Sequence, residues 1–223
     1  MKDVLCDSSS LISLGDSCLD GLLYFLHEKY QIRFIIPPEV ENELITRPIS
    51  GGLKQYYFSA LKMKRAMRDS VIVKTPAQTG SHTQEILNAA NHMFFIKGKP
   101  LALLHPGEAG MLALAQELDI SQVLIDERTT RMLIEAPFLL KKHLEEEFGV
   151  TTMVNKKNFE TLNQQIRNMQ VIRSSELLIL GYEQGFLQHF PEPREALEAA
   201  LYKVKFSGCS IGFNEISEFL QSG

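Results

Sequence analysis

Short apolar runs alternate along this chain with longer stretches in which apolar residues recur every three or four positions, a pattern of strands and helices in turn. Val4-Leu5-Cys6 is the first run. It stops at Asp7 and a serine cluster, after which Leu11, Ile12 and Leu14, then Leu22, Leu23, Phe25 and Leu26, continue at helical spacing. Arg33-Phe34-Ile35-Ile36 is a second buried-type strand, closed by Pro37-Pro38, and Val40, Leu44 and Ile45 then fall on one face of a short helix. Pro106-Gly107-Glu108 opens a helix with Met111, Leu112, Leu114, Ala115 and Leu118 on its apolar side, and Val123-Leu124-Ile125 is another strand, ending at Asp126-Glu127.

Beyond residue 136 the spacing is helical over Leu139 to Phe148, Phe159 to Met169, Glu176 to Phe186, Arg194 to Val204 and Phe213 to Leu220, with Val171-Ile172 as a last edge strand. Gly185 and Gly208 stand where helix C-caps are expected. Strands alternating with helices of this length predict an α/β fold, a central parallel sheet flanked by helices, with its sites at the carboxyl ends of the strands. Residues 46–100 read as an insertion, because the run Val71-Ile72-Val73 lies between polar segments. The domain expectation is one unit over 1–190 carrying that insertion, with a helical extension over 191–223 packed on the same core.

The chain has 223 residues, 44% hydrophobic and 22% charged, which suits a globular chain and argues against a disordered, collagenous or coiled-coil one. No run approaches a membrane span. Asp3 and Asp7 interrupt any signal-peptide core, and Cys6, Cys18 and Cys209 form no Cys-x-x-Cys pair, so a reducing cytoplasm is expected. The net charge of −4 carries no general nucleic-acid signature. Locally the picture changes: between Gly51 and Gly80 there are six Lys or Arg residues against Asp69 alone, interleaved with Tyr56, Tyr57 and Phe58. Lys62, Lys64 and Arg65 there are candidate phosphate contacts beside rings that could stack on unpaired bases, with a solvated basic face as the equal alternative.

Candidate chemistry rests on four acids. Asp7 and Asp126 each follow a strand and share the carboxyl edge of a parallel sheet; Glu43 lies on the helix after the second strand and Glu108 in the first turn of a helix entering that edge. Four converging carboxylates without a nearby Lys or Arg in the motifs repel, and a hard divalent cation, Mg²⁺ or Mn²⁺, relieves that. Taken singly each acid has a structural reading, as a helix N-cap, a partner of a helix dipole or a surface acid. Ser8, Ser9 and Ser10 lack the Gly-x-Ser-x-Gly elbow of a nucleophile, the six histidines have no zinc spacing, and Gly51-Gly52 lacks the Lys-Ser/Thr of a P-loop. His105 is a loop histidine beside the Pro-Gly-Glu turn, and Arg131, five residues after Asp126, either meets a phosphate or pairs with an acid.

The runs VLCDSSSLISL, IIPPEVENELI, HPGEAGMLALAQEL and VLIDERTTRMLIEA resemble, in order, the four blocks of PIN-domain ribonucleases, most closely the prokaryotic branch with Gly-Glu in the third block and Asp-Glu-x-x-x-Arg in the fourth. SSELLILGYEQGFL and the closing segment are similar to that branch's C-terminal helices, while the stretch 46–100 and the sequence around 149–173 depart from it. The resemblance implies metal ligation by Asp7, Glu43, Glu108 and Asp126, with Ser9 as a neighbouring hydroxyl and Glu127 as the alternative to Asp126. It implies hydrolysis of RNA phosphodiesters by a metal-activated water, in a branch that includes toxins held by a small antitoxin protein. A homodimer is a further expected partner state, and the rival reading is a catalytically silent PIN-like module that binds RNA or protein.

Overall fold

The computed structural model describes residues 2–75 and 79–222. In chain order it contains β1 (Lys2–Cys6), α1 (Ser8–Asp16), α2 (Asp20–Tyr30), β2 (Ile32–Ile36), α3 (Pro38–Glu41), a π-turn (Asn42–Thr46), α4 (Arg47–Ser50), α5 (Tyr57–Arg68), β3 (Ile72–Lys74), α6 (Gly80–Asn91), β4 (Phe94–Ile96) and β5 (Lys99–Pro100). It continues with α7 (Pro106–Glu117), β6 (Gln122–Leu124), α8 (Arg128–Glu135), α9 (Pro137–Phe148), β7 (Thr152–Val154), α10 (Lys156–Ile166), β8 (Gln170–Ile172), α11 (Ser174–Glu183), α12 (Pro193–Phe206) and α13 (Phe213–Ser222).

Five strands form one parallel sheet in the order β3-β2-β1-β6-β8, flanked by helices. Because strand side chains alternate between faces, consecutive apolar residues feed two separate cores. Val4 and Cys6, Phe34 and Ile36, and Leu124 pack with α1, α2, α11 and α12 on one face. Leu5, Ile35, Val123 and Ile125 pack with α6, α7 and α10 on the other. A run that is apolar at every position therefore marks a strand covered on both sides. Leu197, Leu201, Val204 and Ile216 of the last helices belong to the first core, so the C-terminal segment is built into it.

The segment 46–100 is not an insertion throughout. Ile72–Lys74 pairs in parallel with β2 and supplies the sheet's edge strand, and α5 packs on α1 and on the π-turn. The remainder adds a second sheet that the apolar pattern does not announce, with β4 antiparallel to both β5 and β7. Its hairpin turns at Lys97 and Gly98, both at positive φ (49° and 78°), as a two-residue hairpin of the primed class requires. Gly208, at φ 126° after α12, turns the chain toward α13 against Ser13, whose hydroxyl donates to the Ser207 carbonyl at 3.2 Å.

Candidate active site

In the sheet order, successive connections run outward from β1 in one direction through β2 and β3 and in the other through β6 and β8. The switch falls between β1 and β6, where a parallel sheet opens a crevice beyond its carboxyl ends. Asp7 sits there: its amide donates to the Leu124 carbonyl at 3.1 Å, joining the end of β1 to the end of β6.

A pocket of about 160 Å³ lies at this point, lined by Asp7, Ser8, Ser9, Val40, Glu43, His105, Gly107, Glu108 and Glu127. Three local devices supply the four acids: helix caps for Asp7 and Glu127, a capping box for Glu108 and a π-turn for Glu43. Asp7 is extended (φ −80°, ψ 167°) and caps α1, accepting from the Ser10 amide at 2.8 Å and the Ser9 hydroxyl at 2.6 Å. Glu108 stands at the third position of α7 and folds back to accept from the His105 amide at 2.7 Å, while Thr130 Oγ1 donates to it at 2.9 Å. Glu127 caps α8, accepting from the amides of Thr129 at 2.9 Å and Thr130 at 2.5 Å.

Glu43 comes from the π-turn. The proline at 48 cannot donate to a carbonyl four residues back, and just ahead of it the Arg47 amide bonds five residues back to Asn42, a widened turn of the kind that re-aims side chains at sites. Its carboxylate accepts from the Ser8 hydroxyl at 2.6 Å, and Gly107 lets α7 approach: a Cβ there would lie 3.4 Å from Glu43 Oε1.

Burial dominates the electrostatics. It pushes the Asp7 carboxyl up to about 7, against the lowering effect of the bonds from Ser10 and Ser9, and the Asp126 charge adds to the rise. Glu108 is likewise raised, first by burial, with the Glu127 charge adding and the bonds from His105 and Thr130 opposing.

Three of the four expected ligands, Asp7, Glu43 and Glu108, thus share a pocket with Ser9. Asp126 does not join them. It is fully buried off the lining, with Oδ1 accepting from the Ser174 amide at 2.8 Å and Oδ2 from the Ser174 hydroxyl at 2.5 Å. The alternative, Glu127, takes the fourth place. No Lys or Arg is among the lining residues, and the donors are carboxylate and hydroxyl oxygens, a set whose chemistry fits a hard divalent cation. Among the described residues no three His, Cys, Asp or Glu side chains are gathered tightly enough to hold a metal ion as they stand.

The expected substrate contacts divide. Lys62 turns inward: its ammonium meets Asp20 at 3.2 Å and the Gly15 carbonyl at 3.1 Å and lies over the Phe58 ring, so it is a structural tie and not a phosphate contact. Arg131 pairs with Glu135 at 3.4 Å. Lys64 is exposed, as is Arg65, whose pairing with Asp69 at 3.5 Å is a surface contact of little strength. Tyr57 and Phe58 are exposed beside them, 44% and 68% respectively, so the rings do not pack inward as a plain basic face would have them.

No helix among the described residues is long and apolar enough to cross a membrane. Comparison of the chain with protein-family models, with curated proteins and with solved structures returns no match.

Proposed function

We propose that this chain is a PIN-like ribonuclease that depends on Mg²⁺ or Mn²⁺, of the kind that includes toxins controlled by a small antitoxin. The observation that carries the reading is the meeting of Asp7, Glu43, Glu108 and Glu127 in one pocket, lined by no Lys or Arg, at the switch point of the sheet. These four would hold the cation, one or two carboxylates at a time, with the Ser9 hydroxyl alongside. When bound, the cation supplies positive charge to the phosphoryl and leaving oxygens and acidifies the attacking water. Asp7 must be ionised to hold a cation, and with its carboxyl pushed up to about 7 by burial it takes that form increasingly as pH rises through neutrality. The Ser8 and Ser9 hydroxyls, now donating to Glu43 and Asp7, can turn toward phosphate oxygens once those acids are engaged. The amide ends of α1 and α8, whose caps line the pocket, favour an anion there as well.

The test is cleavage of an end-labelled single-stranded RNA with Mg²⁺ or Mn²⁺ against EDTA, for the wild-type protein and Glu43→Gln. Metal-dependent products that vanish in Glu43→Gln support the reading. RNA retention without any product would instead favour the silent module, which agrees with the looser spacing of the pocket acids, since among the described residues no three stand close enough to hold an ion.

The exposed face of α5 is the proposed RNA path, since α5 packs against both α1 and the turn that bears Glu43. Replacing Lys64 and Arg65 together with Ala is expected to lower the log–log salt slope of single-strand binding by about 1.4, at about 0.7 per phosphate contact. Lys62→Ala should leave that slope alone and lower the melting temperature, because it releases Asp20 and the Gly15 carbonyl. Filter-binding titrations across salt, paired with thermal melts, separate the two.

A further inference from the structure

The acid that the strand pattern singles out most plainly is the one the pocket does not use. Asp126 stands just beyond β6, yet it has no exposed surface and each of its carboxylate oxygens is engaged by Ser174 at the start of α11, one by the amide and one by the hydroxyl. Its own carbonyl accepts from the Ser210 amide at 3.3 Å, in the connection between α12 and α13. The neighbouring Arg173 grips the same connection, donating to the Ser210 carbonyl at 3.3 Å and to Glu215 at 2.8 Å. One residue earlier, the Ile125 amide donates to the Ile172 carbonyl at 2.9 Å, and one residue later Glu127 caps α8 and lines the pocket.

Resting on the nuclease reading, we propose that Asp126 is a positioning residue: clamped to Ser174 and Ser210, it fixes the turn between β6 and α8 so that Glu127, and not Asp126, completes the carboxylate set with Asp7, Glu43 and Glu108. The burial argues against direct ligation. To reach an ion Asp126 would abandon two short hydrogen bonds and leave the Ser174 amide and hydroxyl buried without partners, and orphaned buried donors are costly. Alternation along the strand gives the same division. Leu124 faces the first core and Ile125 the second, so Asp126 turns back toward the helices of the first core, where Ser174 is, and the next side chain is released toward the pocket. A neutral side chain could fill the same place; the carboxylate also sets a buried negative charge beside Asp7, which contributes to the elevation of that group.

Mn²⁺ affinity, measured without RNA by the disappearance of the free-ion EPR signal and by calorimetry, tests this on four proteins whose folding is checked by thermal melts. Glu127→Gln is expected to weaken binding at least tenfold, as loss of a direct donor should. Asp126→Asn keeps an acceptor for the Ser174 amide and a partner for its hydroxyl, and should remain within about threefold of the wild type. Ser174→Ala touches no pocket carboxylate, yet should weaken binding by about tenfold, the scale typical of groups that orient metal ligands. A loss in Asp126→Asn equal to or larger than that in Glu127→Gln overturns the proposal, as does a Ser174→Ala protein with wild-type affinity. A wild-type protein that binds no Mn²⁺ at all overturns the nuclease reading itself, and this one with it.

Discussion

Asp7→Asn is expected to abolish RNA cleavage and at the same time to raise the melting temperature of the metal-free protein above pH 7. Loss of activity follows from removing a charged group at the reacting centre, on the order of a hundredfold or more. The stability gain follows from linkage. In the folded protein the Asp7 carboxyl titrates at about 7, against 3.8 for the free group, so between those values the native state holds a proton that the unfolded chain does not. Stability from this group is therefore fully present below about pH 4 and declines as pH rises through 7. The difference is at most roughly 4 kcal/mol, at 1.36 kcal/mol per pH unit. Asparagine cannot ionise and still caps α1 by accepting from the Ser10 amide, so it loses little of the roughly 1 kcal/mol that a cap supplies. Melts of both proteins in EDTA from pH 4 to 8.5 should coincide at the acid end and separate by several degrees at the alkaline end. A variant less stable than wild type at pH 8 would show that Asp7 serves the helix alone.

Arg173→Met should produce the largest loss of stability of any charge removal in the chain, about 2–3 kcal/mol, or roughly 5–10 °C for a protein of this size. The guanidinium is 8% exposed as a residue and holds Glu176 at 2.8 Å, Glu215 at 2.8 Å and the Ser210 carbonyl. Methionine keeps the apolar stem but frees both acids; these are half-exposed, so water takes them up and the cost stays at the low end for a broken buried pair. The pH dependence here has the opposite sign to that of Asp7. Burial alone would raise the Glu215 carboxyl, but the Gly212 amide and the Arg173 guanidinium outweigh it and hold it low. Such an acid contributes stability that is present above its unfolded value and is lost as pH falls through its folded one. Denaturant titrations at pH 7 and pH 3.5 should show the difference between Arg173→Met and wild type shrinking in acid. An unchanged midpoint at pH 7 would mean that packing of the stem, and not charge, secures the C-terminal helices.

How far these features could be read in advance depended on the range of the interactions behind them. Runs such as Val4-Leu5-Cys6 and Phe34-Ile35-Ile36 announce strands because both faces of the sheet are covered, and the parallel order then brings Asp7 and the end of β6 together. The second sheet gave no such signal: Met153 and Val154 of β7 are 70% and 37% exposed, so its three residues show no buried period. Choosing between Asp126 and Glu127 was beyond local pattern, since what withdraws Asp126 is Ser174, 48 residues on. The same holds for Lys62, whose partner Asp20 lies on α2. Glu43 has a local mark that the apolar spacing of Val40, Leu44 and Ile45 does not use: the proline at 48 removes a helical donor and goes with an irregular turn ahead of it.

The placement of β1 at the centre of the sheet also sets a timetable for synthesis. Its partner on one side, β2, follows almost at once, but β6 is made roughly a hundred residues later, on the order of ten seconds at typical translation rates. Through that interval β1 presents a bare edge to other chains, apolar over Val4, Leu5 and Cys6, and followed by an acid whose pocket partners are not yet all made. Half of the pocket thus waits on the ribosome for the other half, and Asp7 and Glu43 meet Glu108 and Glu127 only once that edge is covered.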